Sequence, residues 1–151
     1  MARRRRIHLA DLDRIWYNAS VGREPREPLA DRPLEFVSSS KDDLSSFPLE
    51  VKLVTGYALR QLQSGRNHPD AKAMKGKLHD VTEISVKDDF GDRTFRTTCT
   101  TRIGDVVYVL HAFQKKSTSG ISTPKRELEL IERRLKLARK HYEEHYGKGK
   151  H

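Results

Sequence analysis

The sequence predicts an α+β domain built on an antiparallel sheet, in the order strand, helix, helix, three strands, helix. Three observations predict it. Residues 81–86, 93–102 and 106–113 are β-branched and apolar runs separated by short turns. Two segments of helical period precede them, and a third follows from Thr123. An alternating run at 34–37, "LEFV", supplies one further strand at the front.

The elements follow in order. Residues 1–33 form an extension. "GREPREPLADRP" has the prolines and charges of an extended linker, and the "LADLDRIWYNA" before it can make a short helix carrying Trp16, the only tryptophan. Ser40 followed by Asp43 has the spacing of a capping box and opens a short helix. Ser46 and Pro48 start a longer one, in which Val51, Val54, Ala58 and Leu62 recur at three- and four-residue steps, with Leu53 and Leu59 widening the stripe. Gly65 stands where a glycine after a helix belongs. "GRNHPD" then reads as loop and "AKAMKGKLH" as a basic connector. "KDDFGD" and "IGD" are the turns between the three later strands, the first a solvated acidic hairpin. Thr123 is placed to cap the last helix, with Pro124 in its first turn. Leu128, Ile131, Leu135, Ala138 and Tyr142 make its packing face, and basic residues crowd its later turns. The domain is expected over 34–146, with a disordered tail at 147–151.

Charge narrows the partners. The net charge of +9 is uneven. Residues 34–113 balance eleven basic against eleven acidic side chains, whereas residues 1–33 carry eight arginines against five acids and residues 114–151 eleven basic residues against five. A surplus at both ends of a balanced middle favours a polyanionic partner, a nucleic acid or an acidic protein. The single Cys99 excludes a disulfide within the chain and a cysteine-based zinc site. His141 and His145 lie one helical turn apart but lack a third ligand, so no metal and no cofactor is expected. No apolar run reaches membrane-spanning length and Arg3–Arg6 precede no apolar segment of a secretory signal, which makes a reducing cytoplasm the expected compartment.

The end of the last strand carries the chemistry. Strict alternation puts Val107, Val109, His111 and Phe113 on one face and Val106, Tyr108, Leu110 and Ala112 on the other. On the preceding strand Arg96, Thr98, Thr100 and Arg102 share a face. One face of the sheet must meet the helices, and the other is expected to be concave and partly open, with His111, Phe113 and Arg96 converging there and Lys115 and Lys116 at the rim. Such a set meets the needs of metal-free RNA cleavage, in which the 2′-hydroxyl attacks the neighbouring phosphorus. Imidazole titrates near operating pH, a lysine beside other cations transfers protons, arginine holds phosphate with a planar fork, and an aromatic ring supports an unstacked base. A hydrogen-bonded structural histidine and a solvated strand end are the competing readings of the same residues.

The run "VYVLHAFQKKSTSGISTPKRELELIERRLKLA" resembles the RelE/ParE toxin superfamily, in its phage-derived HigB-like branch. An apolar strand ending Leu-His-x-Phe-x-Lys-Lys, then a threonine/proline loop and a helix, is that branch's usual pattern. The upstream "LQSGRNHPDAKAMKGKLHDVTEISVKDDFGDRTFRT" fits it too, and the likeness covers roughly residues 34–140. The resemblance implies a RelE-like fold and the toxin half of a type II toxin–antitoxin pair, a ribosome-dependent endonuclease that cuts translated mRNA. Its implied partners are the 70S ribosome with mRNA and a helix-turn-helix antitoxin of the HigA/Xre kind. By position it makes Arg96, His111, Lys115 and Lys116 the catalytic set, with Arg96 on the scissile phosphate. Lys75, Lys77, Arg93 and Phe113 become the RNA contacts. A ParE-like toxin that binds a protein such as gyrase without catalysis, and an RNA-binding module without activity, are the alternatives. The chain departs from the pattern in its 33-residue front extension, its long last helix, and Lys87, which comes later in its strand than the usual basic residue.

Overall fold

A computed structural model describes residues 31–115 and 123–147. The expectations for Arg3–Arg6, Trp16, Lys116, the threonine-rich part of the loop and the tail lie outside these residues. The elements are β1 (Leu34–Phe36), α1 (Ser40–Ser45), α2 (Leu49–Gln63), β2 (Ala71–Ala73), β3 (Thr82–Lys87), β4 (Thr94–Ile103), β5 (Val106–Lys115) and α3 (Lys125–His145). A 3-10 turn spans Gly76–Leu78. The architecture is the expected α+β order with one addition. The basic connector contributes β2, a three-residue edge strand paired with β3.

The strands form one five-stranded sheet in the order β1-β5-β4-β3-β2. The β3-β4-β5 meander is antiparallel as expected. The sheet as a whole is mixed, because β1 runs parallel to β5, with Leu34 beside Val107 and Phe36 beside Val109. The α1–α2 crossover between β1 and the meander lets β1 lie alongside β5 in the same direction. The chain is already anchored before β1. Arg32 N–H donates to Gln63 O, and Val107 N–H donates to Pro33 O, each at 2.9 Å.

Helices cover both faces of the sheet. On one face Val51, Ala58, Leu59 and Leu62 of α2, with Leu44 and Phe47, pack on Ile84, Val86, Phe95, Cys99, Val107, Val109 and Ala112. On the other, Ile131, Leu135 and Ala138 of α3 pack on Val81, Val106, Tyr108, Leu110 and Phe113, with Leu128 and Tyr142 at the margin. Fully burying one Ile or Leu there contributes roughly 1.5–3 kcal/mol, so the α3 stripe holds the helix firmly on the sheet. The open concave face expected from the sequence is therefore covered. The stripe of α3 is as expected. That of α2 is rotated, with Thr55 buried and Val54 left at the surface.

Two local expectations, for Ser40 and Thr123, resolve differently, and the one for Gly65 holds. Ser40 does not cap α1. It is the first helical residue, and its buried hydroxyl donates to Val109 O at 3.0 Å, tying α1 to β5. Pro48 and Pro124, rather than a serine or threonine, occupy the capping positions of α2 and α3. Thr123 is thereby released for another role. At the end of α2, Gly65 has φ +79°. Gly65 N–H bonds Leu62 O at 3.1 Å and Arg66 N–H bonds Gln61 O at 2.8 Å, the paired closing bonds that a left-handed glycine permits.

Candidate functional site

The register of the three long strands builds the site. Glu83, Thr98 and His111 lie side by side across β3, β4 and β5. Ser85, Arg96 and Phe113 form the next row, and Lys87, Thr94 and Lys115 the last. Cross-strand neighbours project from the same face, so Glu83, Lys87, Arg96, His111, Phe113 and Lys115 all stand on the α3 side.

This convergence depends on an irregularity in β5. Thr98 pairs with His111 but Cys99 pairs with Val109, so Leu110 is an extra residue opposite β4. A bulge of this kind reverses the alternation beyond it. Val107 and Val109 face α2, as does Ala112, whereas Leu110 and Phe113 face α3. The alternation expected from the sequence, which set His111 and Phe113 with Val107 and Val109, is thus broken. The bulge brings His111 and Phe113 to the face of Arg96.

Arg96 is buried, and its Nη1 donates to Thr123 Oγ1 at 2.9 Å and lies 3.6 Å from Glu83 Oε2. The Thr123 hydroxyl in turn donates to Glu83 at 3.1 Å. Thr123 therefore bridges an arginine–glutamate pair from the start of α3. The His111 ring stacks on Phe113, with centroids 4.9 Å apart and planes 20° from parallel. Its Nε2 is 3.3 Å from Glu127 Oε2, and its Nδ1 is 3.4 Å from Arg134 Nη1 and 3.9 Å from Asp43 Oδ2. A guanidinium only donates, so these partners assign the Nδ1 lone pair to Arg134 and the Nε2 proton to Glu127. Burial pushes the His111 pKa below its ordinary value; the Glu127 carboxylate opposes this and Arg134 adds to it. Arg134 also donates to Leu110 O and Ser39 Oγ, each at 3.0 Å, so a buried guanidinium holds the carbonyl at the bulge.

The other sequence-predicted residues are spread around this core. Lys115 is half-buried in the outermost row, separated by Thr94 from exposed Lys87. Arg93 is not brought to this face. It precedes β4 and lies over the Phe95 ring at 5.4 Å on the α2 side, with its Nε donating to Asp88 Oδ2 at 2.9 Å. Asp88, expected to be solvated, is buried and also accepts the amides of Asp92 and Arg93. The Arg93 hydrogen bond holds its carboxyl below the usual range. Lys77 pairs with Glu132 of α3 at 2.8 Å, and Lys75 is exposed beyond β2, away from the three rows. His141 Nδ1 takes the Tyr108 hydroxyl at 2.8 Å. Among the described residues no cluster of three or more potential ligands forms a metal site. Likewise no helix there is long and apolar enough to cross a membrane. Glu83, Lys87, Thr123, Glu127 and Arg134 were not marked as site residues by sequence reasoning. Lys87 had a legible signal, since it shares strand parity with Glu83.

Comparison with known proteins finds one family. A family model described as Phage derived protein Gp49-like matches residues 42–136, a span that contains all three rows, Glu127 and Arg134. The chain belongs to this phage-derived, Gp49-like family. No curated protein matches the chain. Among solved structures, the toxin–antitoxin complex RelBE2 from Mycobacterium tuberculosis aligns with 58% of this chain and 94% of that chain, at 16% identity and a TM-score of 0.36.

Proposed function

We propose that this chain is a HigB-like toxin acting as a metal-independent endoribonuclease on translated mRNA, neutralised by a helix-turn-helix antitoxin. The observation that carries the reading is the placement of Arg96 and Lys115 in adjacent rows of one face, with Lys87 completing the outer row. A toxin that only grips a protein has no need of such a phosphate clamp.

In this reading Arg96 holds the non-bridging oxygens of the scissile phosphate, a phosphate oxygen replacing the Thr123 hydroxyl at Nη1. The 2′-hydroxyl attacks phosphorus and gives its proton to the side-chain nitrogen of one of Lys115 and Lys116, and negative charge develops on the phosphorane. Lys87 and the other lysine of the pair stabilise that charge; the bond from phosphorus to the 5′-oxygen breaks, and that second lysine protonates the departing oxygen. His111 has both ring nitrogens engaged. It serves as a positioning group that holds Phe113 by stacking, rather than as a proton-transfer group of the catalytic set. Lys75, Lys77 and Arg93 contact RNA outside the scissile phosphate.

Induced expression followed by mapping of mRNA ends tests the proposal. Cuts clustered within translated codons, absent in Arg96→Ala and in the Lys115/Lys116 double alanine variant, are the expected outcome. Growth arrest by both folded variants, or loss of supercoiling with intact mRNA, would overturn it.

A further inference from the structure

Behind the cationic rows, on the α2 side of the same strand ends, lies a cleft of about 320 Å³. Asp43, Ser46 and Phe47 bound it from the α1–α2 junction, and Arg93, Phe95 and Gln114 from β4 and β5. We propose that this cleft is a nucleobase pocket that receives one unstacked guanine of the RNA strand lying across the Lys115 row. The source of the strand rests on the endonuclease reading; the chemistry of the pocket does not.

The pocket adjoins the candidate site through shared side chains. Phe113 lines the cleft and also stacks on His111. Asp43 lines it and also lies 3.9 Å from His111 Nδ1. Gln114 stands between Phe113 and Lys115 in β5, so consecutive residues of one strand end address the two faces.

The walls suit a planar, aromatic occupant. Phe47 and Phe95 form the floor, with centroids 4.9 Å apart and planes tilted by 59°. Over Phe95 the Arg93 guanidinium, its central carbon 5.4 Å from the ring centroid, is anchored by its bond to Asp88. A guanidinium plane held in this way stacks on a base and adds cation–π attraction.

The polar groups select the edge. A carboxylate only accepts, and it repels phosphate, so Asp43 calls for an occupant that presents donors. The contacts of Asp43 with Ser39, His111 and Arg134 all run through Oδ2. Arg93, the one cation lining the cleft among the described residues, is paired with Asp88, which further disfavours a phosphate as occupant. Guanine is the base with two neighbouring donors, N1–H and the exocyclic amine, beside a carbonyl acceptor. The Gln114 amide can serve that acceptor, whereas the Ser46 hydroxyl already donates to Asp43 O at 2.7 Å.

The test is a titration of the purified full chain with guanosine, adenosine, cytidine and uridine monophosphates, followed by two-dimensional amide NMR. Saturable shifts at Ser46, Arg93 and Gln114 are expected, with guanosine monophosphate binding at least ~5-fold tighter than the others, and Gln114→Ala weakening it by about 5-fold, the order of one hydrogen bond. Equal affinity for all four nucleotides, or shifts confined to the Lys87 and Lys115 row, would overturn the proposal. In mapped cleavage products, a guanine bias at one fixed position beside the cut should flatten in Gln114→Ala; cuts with no such bias also count against the pocket. Guanine-selective binding without any cleavage would sink the endonuclease reading and leave the pocket standing.

Discussion

The Glu127 carboxylate of α3 stands 3.3 Å from Nε2 of His111 at the bulge of β5. It is an anion facing an imidazole whose pKa burial holds down. Because the folded-state pKa lies below the ordinary value, the unfolded chain binds the proton more readily. Stability from this site is therefore complete above about pH 6.5 and is lost as pH falls below it. Replacing Glu127 with Gln keeps an acceptor for Nε2–H but removes the charge that supports protonation. The His111 pKa should fall further. Melting temperatures of Glu127→Gln and the parent chain should nearly coincide at pH 7.5 and separate at pH 5, with the variant lower. Equal loss at both pH values would show that Glu127 acts only by packing.

Arg134 offers a harsher test of the same cluster. Its guanidinium is almost fully buried, holds Leu110 O and Ser39 Oγ, and lies 3.6 Å from Asp43. Arg134→Met keeps most of the apolar stem but strands the carbonyl and the carboxylate. Asp43 and Ser39 keep contact with solvent, so the main loss is the unpaired buried carbonyl, a cost of about 1–3 kcal/mol. Urea unfolding should show a midpoint shift of that order, with Arg134→Lys only partly restoring it, because an ammonium cannot reproduce the fork. A loss below 1 kcal/mol would mean that water replaces the guanidinium.

How far the sequence disclosed this cluster follows from the physics of each part. The apolar stripe of α3 and the runs of β3, β4 and β5 were legible, since periodicity reports burial directly. Arg96, His111, Phe113 and Lys115 were legible as a set because they crowd strand ends. The bulge at Leu110 was not, since one extra residue leaves no compositional mark in a strand apolar at every position from Val106 to Leu110. Alternation alone therefore assigned His111 and Phe113 to the wrong neighbours. Nor was the covering of the site legible. Thr123 read as a cap because a threonine before proline normally is one, whereas tertiary contact with Arg96 and Glu83 claims its hydroxyl. Pairings such as Arg134 with Ser39, distant in the chain, have no local signal at all.

The β4–β5 turn gives a prediction separable into two physical causes. Gly104 has φ +54°, and a Cβ built there would run into the Tyr142 ring. Gly104→Ala should destabilise the fold by roughly 1–3 kcal/mol through backbone strain and steric conflict together. Adding Tyr142→Ala removes the conflict but not the strain. In a double-mutant cycle by chemical denaturation, the alanine at 104 should therefore cost less in the Tyr142→Ala background than in the parent. An unchanged cost would place the whole effect in the backbone.

Lys87 tests the outer row without touching the core. It is exposed at the end of β3, and Thr94 separates it from Lys115. Lys87→Ala should leave stability within about 0.5 kcal/mol, as surface changes away from special contacts do. If the row tracks an RNA backbone, the variant should bind single-stranded RNA more weakly, and the slope of log affinity against log salt should become shallower by about 0.7, the loss of one phosphate contact. Lys52→Ala is the control, since Lys52 lies on α2, across the sheet, and donates to Ser45 O. The two variants carry the same net charge, so a general attraction between a basic protein and RNA would weaken equally in both. A shallower slope in Lys87→Ala alone locates the polyanion on the α3 face, beside Arg96; equal slopes would remove the basis for treating the three rows as one phosphate-binding surface.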